Sequence, residues 1–129
     1  HVVLNSENRA EVLDACWEAF DLGQRAADAV VWEPGVDEVR ALAAAQACAA
    51  GRALLPLPRG GAPLPLTGDP EENAEACAVL LRRAQQALAA LGRRGGEVPL
   101  PGRVLTEAAD LARDAAEGLA GRKPDVPCP

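Results

Sequence analysis

The sequence predicts an all-α fold, a four-helix bundle with a short turn between helices one and two and crossover connections rich in proline and leucine. Apolar residues make up 49% of the 129 residues, and the commonest of them is alanine, a strong helix former and a poor strand former. They recur at spacings of three and four along four segments, as amphipathic helices require. Prolines interrupt that pattern between the segments and mark their ends.

The first helix is predicted to begin near Ser6, which offers a cap together with Asn5. The turn "WEPG" at 32–35 ends it, and a second helix follows over about 36–54 as its antiparallel neighbour. We expect the first helix to bury Leu13, Cys16, Trp17, Phe20, Ala27, Val30 and Val31, and the second to bury Val39, Leu42, Ala43, Cys48 and Ala50. After Arg40 the second helix carries almost no charge, so we expect it to be covered on most sides or to pack against another chain.

The third helix has the clearest predicted start, with Asp69 as the cap, Pro70 at the first helical position and Glu72 completing a capping box. Gly92 is predicted to end it. Its expected buried residues are Cys77, Leu80, Leu81, Ala84, Leu88 and Leu91. A fourth helix is predicted to begin between Pro101 and Thr106 and to bury Leu105, Ala108, Leu111, Ala112, Ala115 and Leu119.

The connection "LPLPRGGAPLPL" at 55–66 combines stiff prolines with leucines that favour burial. About 14 extended residues at roughly 3.1 Å each span ~40 Å, more than the ~30 Å of a 20-residue helix. We therefore expect an ordered strap along the bundle, which brings helix three in parallel to helix two. Residues 1–121 are predicted to form one domain, and 122–129 a disordered tail.

Composition excludes several classes of partner. A net charge of −6 argues against duplex DNA and anionic membranes, and no apolar run approaches the roughly 20 residues of a membrane helix. The four cysteines are widely spaced and the one histidine opens the chain, which fits reduced thiols in a cytoplasmic protein rather than a zinc or disulfide framework. Cys16, Cys48 and Cys77 are expected to fill the core, with a soft-metal site such as Cu(I) as the alternative. The Ala-, Gly-, Pro- and Arg-rich composition suggests a GC-rich bacterial genome.

Two acidic motifs, "EENAE" at 71–75 and "EAAD" at 107–110, place carboxylates at spacings of three and four on predicted helices. Together they resemble the signature of the MazG-type all-α nucleotide pyrophosphohydrolases. The resemblance implies that four carboxylates hold Mg²⁺ against a nucleotide triphosphate: Glu72, Glu75, Glu107 and Asp110. The alternative interpretation is structural, because acidic residues also favour helix starts and solvated helix faces.

Arginines are concentrated toward the end of helix three and the start of helix four. They are Arg82, Arg83, Arg93, Arg94 and Arg103. Arginine suits phosphate and carboxylate groups, so these residues are a candidate anion site. The alternative is that they complement the helix dipole and aid solubility.

The sequence favours a small, non-enzymatic protein-interaction or regulatory module, with no cofactor and with a protein partner or a second copy of itself as ligand. The candidate interface is on helix two: Leu42, Ala43, Gln46 and Ala50. A Mg²⁺-dependent nucleotide pyrophosphohydrolase and a bundle that binds a small anion are the alternative functions. No motif names a particular ligand or reaction.

Overall fold

A computed structural model describes residues 6–58, 68–94 and 100–120, apart from the side chains of 6–8 and 94. In these ranges the chain forms four α-helices. The helices are α1 (Ser6–Val30), α2 (Glu38–Leu54), α3 (Pro70–Arg94) and α4 (Gly102–Ala120). No residue in these described ranges belongs to a strand. The all-α prediction is therefore confirmed.

The helix starts follow local capping chemistry. The Asp37 carboxylate accepts hydrogen bonds from the backbone N–H groups of Val39 (3.0 Å) and Arg40 (3.2 Å), so α2 begins just after Asp37 rather than at residue 36. The Asp69 carboxylate accepts from the N–H of Glu72 at 3.0 Å, as the sequence predicts. Gly35, with φ of 83°, supplies the left-handed residue that the turn between α1 and α2 needs.

The prediction that Gly92 ends the third helix is wrong, because α3 continues to Arg94. Gly92 lies against the start of α4, where a Cβ added to it would be 3.5 Å from the Thr106 hydroxyl and 3.6 Å from the Gly102 carbonyl oxygen. Packing against α4 thus outweighs the small helix-propensity cost of glycine. The Asn5–Ser6 cap, the strap residues 59–67 and the tail from residue 121 lie outside what the structure describes.

The four helices form a ring in the order α1, α2, α4, α3. Each helix packs against its two neighbours in this ring. Diagonal partners are farther apart: within the two described helices, no Cα atom of α2 lies within 8 Å of a Cα atom of α3. The core therefore lies at the centre of the ring, and among the four described helices α2 packs against α1 and α4.

Close contacts fix the directions of the helices. Gly23 of α1 faces both Cys48 of α2 and Leu81 of α3. Toward the start of α1, the Cys16 thiol is 3.9 Å from the carbonyl oxygen of Ala84, and Phe20 covers Gly51. Both α2 and α3 are therefore antiparallel to α1, so they run parallel to each other, as the sequence predicts. The chain leaves α2 at one end of the bundle and enters α3 at the other.

The face that α2 buries differs from the prediction. Of the residues expected to face inward, only Cys48 is buried, and the other four are exposed: Val39, Leu42, Ala43 and Ala50. The face toward the core consists of small residues, namely Ala41, Ala44, Ala45, Cys48 and Gly51. Helix α2 is apolar around most of its circumference, so periodicity alone does not select a face, and the close neighbours α1 and α4 admit only small side chains.

Predicted inward residues of the other helices are mostly in the core. All those named on α4 are buried except Leu111, which packs against the core from its edge. On α3, Leu80 is 37% exposed because it borders a groove between α1 and α3. Trp17 of α1 and Val31, which directly follows α1, are partly buried.

Glycines allow α2 to approach both of its neighbours. A Cβ at Gly51 would lie 2.3–2.7 Å from ring atoms of Phe20, which is fully buried. On the other side, a Cβ at Gly118 of α4 would lie 2.9 Å from both the Cβ of Ala44 and the backbone oxygen of Arg40. Neither space can hold an additional methyl group without movement of the helices or the ring.

We predict that Gly51→Ala destabilises the protein although alanine is the better helix former. The propensity gain is at most about 1 kcal/mol, whereas overpacking against a buried ring costs about 1–3 kcal/mol. Gly92→Ala is the matched control, because its Cβ meets only ordinary contacts of 3.5 Å or more. Urea unfolding should show a free energy of unfolding below that of the wild-type protein for Gly51→Ala, and equal to or above it for Gly92→Ala. Equal effects of the two variants would refute close packing at Gly51.

Candidate functional site

An uncharged row of side chains runs along the exposed side of α2. We call it the outer stripe, and it consists of Val39, Leu42, Ala43, Gln46, Ala50 and Ala53, all exposed. The members recur at spacings of three and four, so they lie on one face of the helix. The side chain exposures of Val39 (76%) and Leu42 (53%) are high for large apolar residues.

The outer stripe lies opposite the buried face of α2, so this helix is apolar on both sides. A helix with apolar residues all around is normally buried. The charged residues of α2, which are Glu38, Arg40 and Arg52, flank the stripe and do not interrupt it. All four candidate interface residues belong to the stripe: Leu42, Ala43, Gln46 and Ala50. Sequence reasoning missed Val39 and Ala53, although their spacing from Gln46 could have included them.

The stripe continues past the end of α2 into a shallow hollow. Leu57, which is 78% exposed, lines this hollow of about 300 Å³ together with Trp17, Ala49, Arg52, Ala53 and Leu55. The Arg52 guanidinium lies 5.8 Å from the centre of the Trp17 ring and 3.0 Å from the Asp21 carboxylate. This cation–π contact and ion pair hold the wall of the hollow in place.

At the opposite end of α2, Trp32 is 84% exposed. It follows α1 in the turn that leads to α2. Exposed large apolar side chains thus lie at both ends of the outer stripe. Such grouped exposure is typical of interaction surfaces.

The acidic motifs do not converge. Since Gly92 of α3 lies against Gly102 and Leu105 of α4 and the two helices are antiparallel, Glu75 and Asp110 are separated by roughly 17 Å along the bundle at 1.5 Å per residue. Glu72 is farther away still. All four predicted ligands are exposed: Glu72, Glu75, Glu107 and Asp110. One Mg²⁺ needs its oxygen ligands at about 2.1 Å, and within the described ranges no group of three or more His, Cys, Asp or Glu side chains is placed to hold a metal ion.

The predicted arginine cluster is divided between two places. Arg93 and Arg103 are exposed where α3 meets α4, whereas Arg82 and Arg83 lie about 15 Å farther along α3 at 1.5 Å per residue. The side chain of Arg94 lies outside the described residues. Arg83 lines a groove of about 270 Å³ whose wall is otherwise apolar: Val12, Ala15, Cys16, Ala19, Leu80, Ala84 and Ala87.

Three cysteines are buried as free thiols: Cys16, Cys48 and Cys77. Burial raises the pKa of Cys16 and of Cys48 to about 12 and also raises the pKa of Cys77. Cys16 lies near Ala84 and Cys48 near Gly23, so they occupy different levels of the bundle and do not form a common metal site. Cys48 and Cys77 belong to α2 and α3, whose Cα atoms stay more than 8 Å apart, beyond the reach of a disulfide.

We predict that stability falls steeply in alkali because of the buried thiols. An unfolded thiol loses its proton near pH 9.0, whereas folded Cys16 and Cys48 keep theirs until about 12. Between these pH values the unfolded state binds fewer protons, so the free energy of unfolding falls by up to about 1.4 kcal/mol per pH unit for each thiol.

The free energy of unfolding of the variant Cys48→Ala should fall less steeply with pH, by about the contribution of one thiol, whatever the effect of the substitution on stability at pH 7. Denaturant unfolding of both proteins from pH 8 to pH 12 measures it, and the absence of tyrosine from the sequence simplifies the titration. Identical slopes for the wild-type protein and the variant would contradict the burial of the Cys48 thiol.

Comparison with known proteins identifies no relative of this chain. No family model matches it, and neither curated proteins nor solved structures are significantly similar to it. None of the helices in the described ranges is long and apolar enough to cross a membrane. The function is therefore inferred from the surface of the protein itself.

Proposed function

We propose that this protein is a non-enzymatic interaction module, and that the outer stripe of α2 is its binding surface. The observation that carries the proposal is the exposure of Val39 and Leu42 within a row that has no charge. Both side chains are larger than the alanines that α2 buries, and neither contributes to the core. An exposed apolar row of this kind gains free energy when it is covered, at ~25 cal/mol per Å² of buried apolar surface.

The spacing of the stripe suits a helical ligand. Val39, Leu42, Ala43 and Gln46 stand at positions i, i+3, i+4 and i+7, which is the anchor pattern of helix-mediated recognition. Small residues follow toward the end of the helix, at Ala50 and Ala53, where a partner helix can approach closely. The binding energy would come from a few apolar anchors and from close packing.

Other features support an interaction module over an enzyme or an anion receptor. The carboxylates of the MazG-like motifs lie far apart along the bundle, and the arginines do not surround a common pocket. The free, buried thiols suit a reducing compartment, from which we infer a cytoplasmic location.

We predict that Mg²⁺ and nucleoside triphosphates leave thermal unfolding unchanged, because the four carboxylates are too far apart to hold one ion. Melts followed by tryptophan fluorescence with Mg²⁺ alone, nucleotide alone and both together would measure this. A ligand at 100 times its Kd adds about 2.7 kcal/mol. A shift that requires both Mg²⁺ and nucleotide would favour the pyrophosphohydrolase instead.

We predict that a photo-reactive residue in the outer stripe forms covalent adducts with a bound protein. Benzoylphenylalanine in place of Gln46 should give adducts in a lysate, and the same residue in place of Asp114, exposed on α4, should not. Leu42→Glu in the Gln46-labelled chain should abolish the adducts, because a carboxylate would lose its hydration in an apolar interface. The matched substitution Ala76→Glu, at an exposed alanine of α3, should preserve them.

Equal labelling from both positions, or adducts that persist in the Leu42→Glu chain, would overturn the assignment of the stripe as the binding surface. The mass of each adduct also shows whether the chain has bound a second copy of itself or another protein. Twice the mass of the 13.3 kDa chain indicates self-association, and any other mass indicates a different partner.

A further inference from the structure

We propose that a second copy of this chain covers the outer stripe, with the two α2 helices antiparallel and a two-fold axis passing beside Gln46. This proposal rests on the proposed function and names its partner. A two-fold interface is formed by the same surface on both subunits, so the stripe must be complementary to itself. The sizes, the polarity and the charges of its side chains and their neighbours are each compatible with that requirement.

The two halves of the stripe complement each other in size. An axis at Gln46 pairs residues that are equidistant from it along α2, so Leu42 of one copy faces Ala50 of the other. In the same way, Val39 faces Ala53. Each large side chain thus meets a small one, and the two helices can interdigitate. Parallel helices would instead set Val39 against Val39 and leave a gap between two copies of Ala50.

Gln46 is the polar member of the stripe, and it lies at the centre. A side-chain amide has both donor and acceptor groups. Across a two-fold axis, the amides of two copies can donate to and accept from each other, which satisfies them inside an apolar interface. Against a purely apolar partner the same amide would be buried without hydrogen bonds, at a cost of about 1–3 kcal/mol.

The charges at the margins do not oppose this arrangement. At 100° per residue, Glu38 and Arg52 lie within about 40° of each other around the axis of α2, so the two-fold axis brings Glu38 of one copy to the same side of the interface as Arg52 of the other, whose guanidinium also pairs with Asp21 of its own chain. Arg40 is about 120° from Arg52. These like charges therefore lie on opposite sides of the interface, although they are level with each other along the helices.

The area available predicts a reversible dimer. Helix α2 has 17 residues and is therefore about 26 Å long at 1.5 Å per residue, which is short for the ~800 Å² per partner of a standard interface. Trp32 and Leu57, just beyond the two ends of α2, are 84% and 78% exposed. Antiparallel pairing brings the end of the bundle that carries Trp32 in one copy to the end that carries Leu57 in the other, where these side chains can extend the contact.

Cysteine crosslinking tests both the dimer and its register. In a Cys128→Ser background, which retains only the three buried thiols, single substitutions are made at the centre and at both ends: Gln46→Cys, Val39→Cys and Ala53→Cys. Under mild oxidation we expect Gln46→Cys to crosslink with itself. Val39→Cys and Ala53→Cys should crosslink efficiently only when the two chains are mixed. The background chain without a new cysteine is the control.

Sedimentation equilibrium of the unmodified full chain gives an independent measurement. The mean mass should rise from 13.3 kDa toward twice that value as the protein concentration increases. Leu42→Glu should remain monomeric, while Ala76→Glu should behave as the wild-type protein does.

Self-crosslinking of all three variants to the same extent would overturn the antiparallel register. A chain that stays monomeric at every concentration would overturn the dimer. If that monomer still forms adducts with another protein through position 46 and not through position 114, the proposed function stands and only the identity of the partner is wrong. If no adduct forms either, both proposals fail.

Discussion

The close approach of α2 to α1 and α4 is the constraint on which the rest of the structure depends. The Phe20 ring covers the backbone at Gly51, and Ala44 meets the backbone of α4 at Gly118. These contacts leave no room for large side chains on the buried face of α2. Val39 and Leu42 therefore lie elsewhere, on the outer side of that helix.

This packing connects the fold to the proposed interaction. A core built largely from alanine buries little apolar surface per residue, and buried apolar surface is the main source of stability. Covering the outer stripe of α2 would add burial that the monomer does not obtain. Association would therefore stabilise the folded chain as well as serve recognition, because a ligand that binds only the native state raises its stability.

Local signals predicted much of the fold. The Asp69 cap and the buried face of α4 were predictable because each depends on residues within one or two turns and on a clear separation of apolar from charged positions. The buried face of α2 was not predictable, because an apolar residue such as Val39 satisfies the helical pattern on either face. The choice between faces depends on glycines in other helices, among them Gly118, and their partners are defined only in the folded structure.

For the acidic motifs too, local spacing is predictable from the sequence and tertiary placement is not. The spacing between Glu72 and Glu75, or between Glu107 and Asp110, is a local property that the sequence predicts. Whether the two pairs meet depends on the register of α3 against α4, which the contact between Gly92 and Gly102 sets. In an antiparallel pair of long helices, residues near the start of one lie beside the end of the other, so Glu72 and Glu75 lie level with the end of α4 and far from Asp110.

The ring arrangement bears on why the proposed interaction surface lies on α2 rather than on another helix. Each helix has two neighbours and one outward side, so each must present a face to solvent. Although α3 also exposes Val79 and Leu80 on that face, helices α1, α3 and α4 carry charged residues on it, as on α4 at Arg113 and Asp114. The outer stripe of α2 has none, and Leu42 and Val39 occupy positions that any charged residue would fit without disturbing the core. The packing of the described helices therefore does not require an apolar outer stripe, whereas the proposed interaction does.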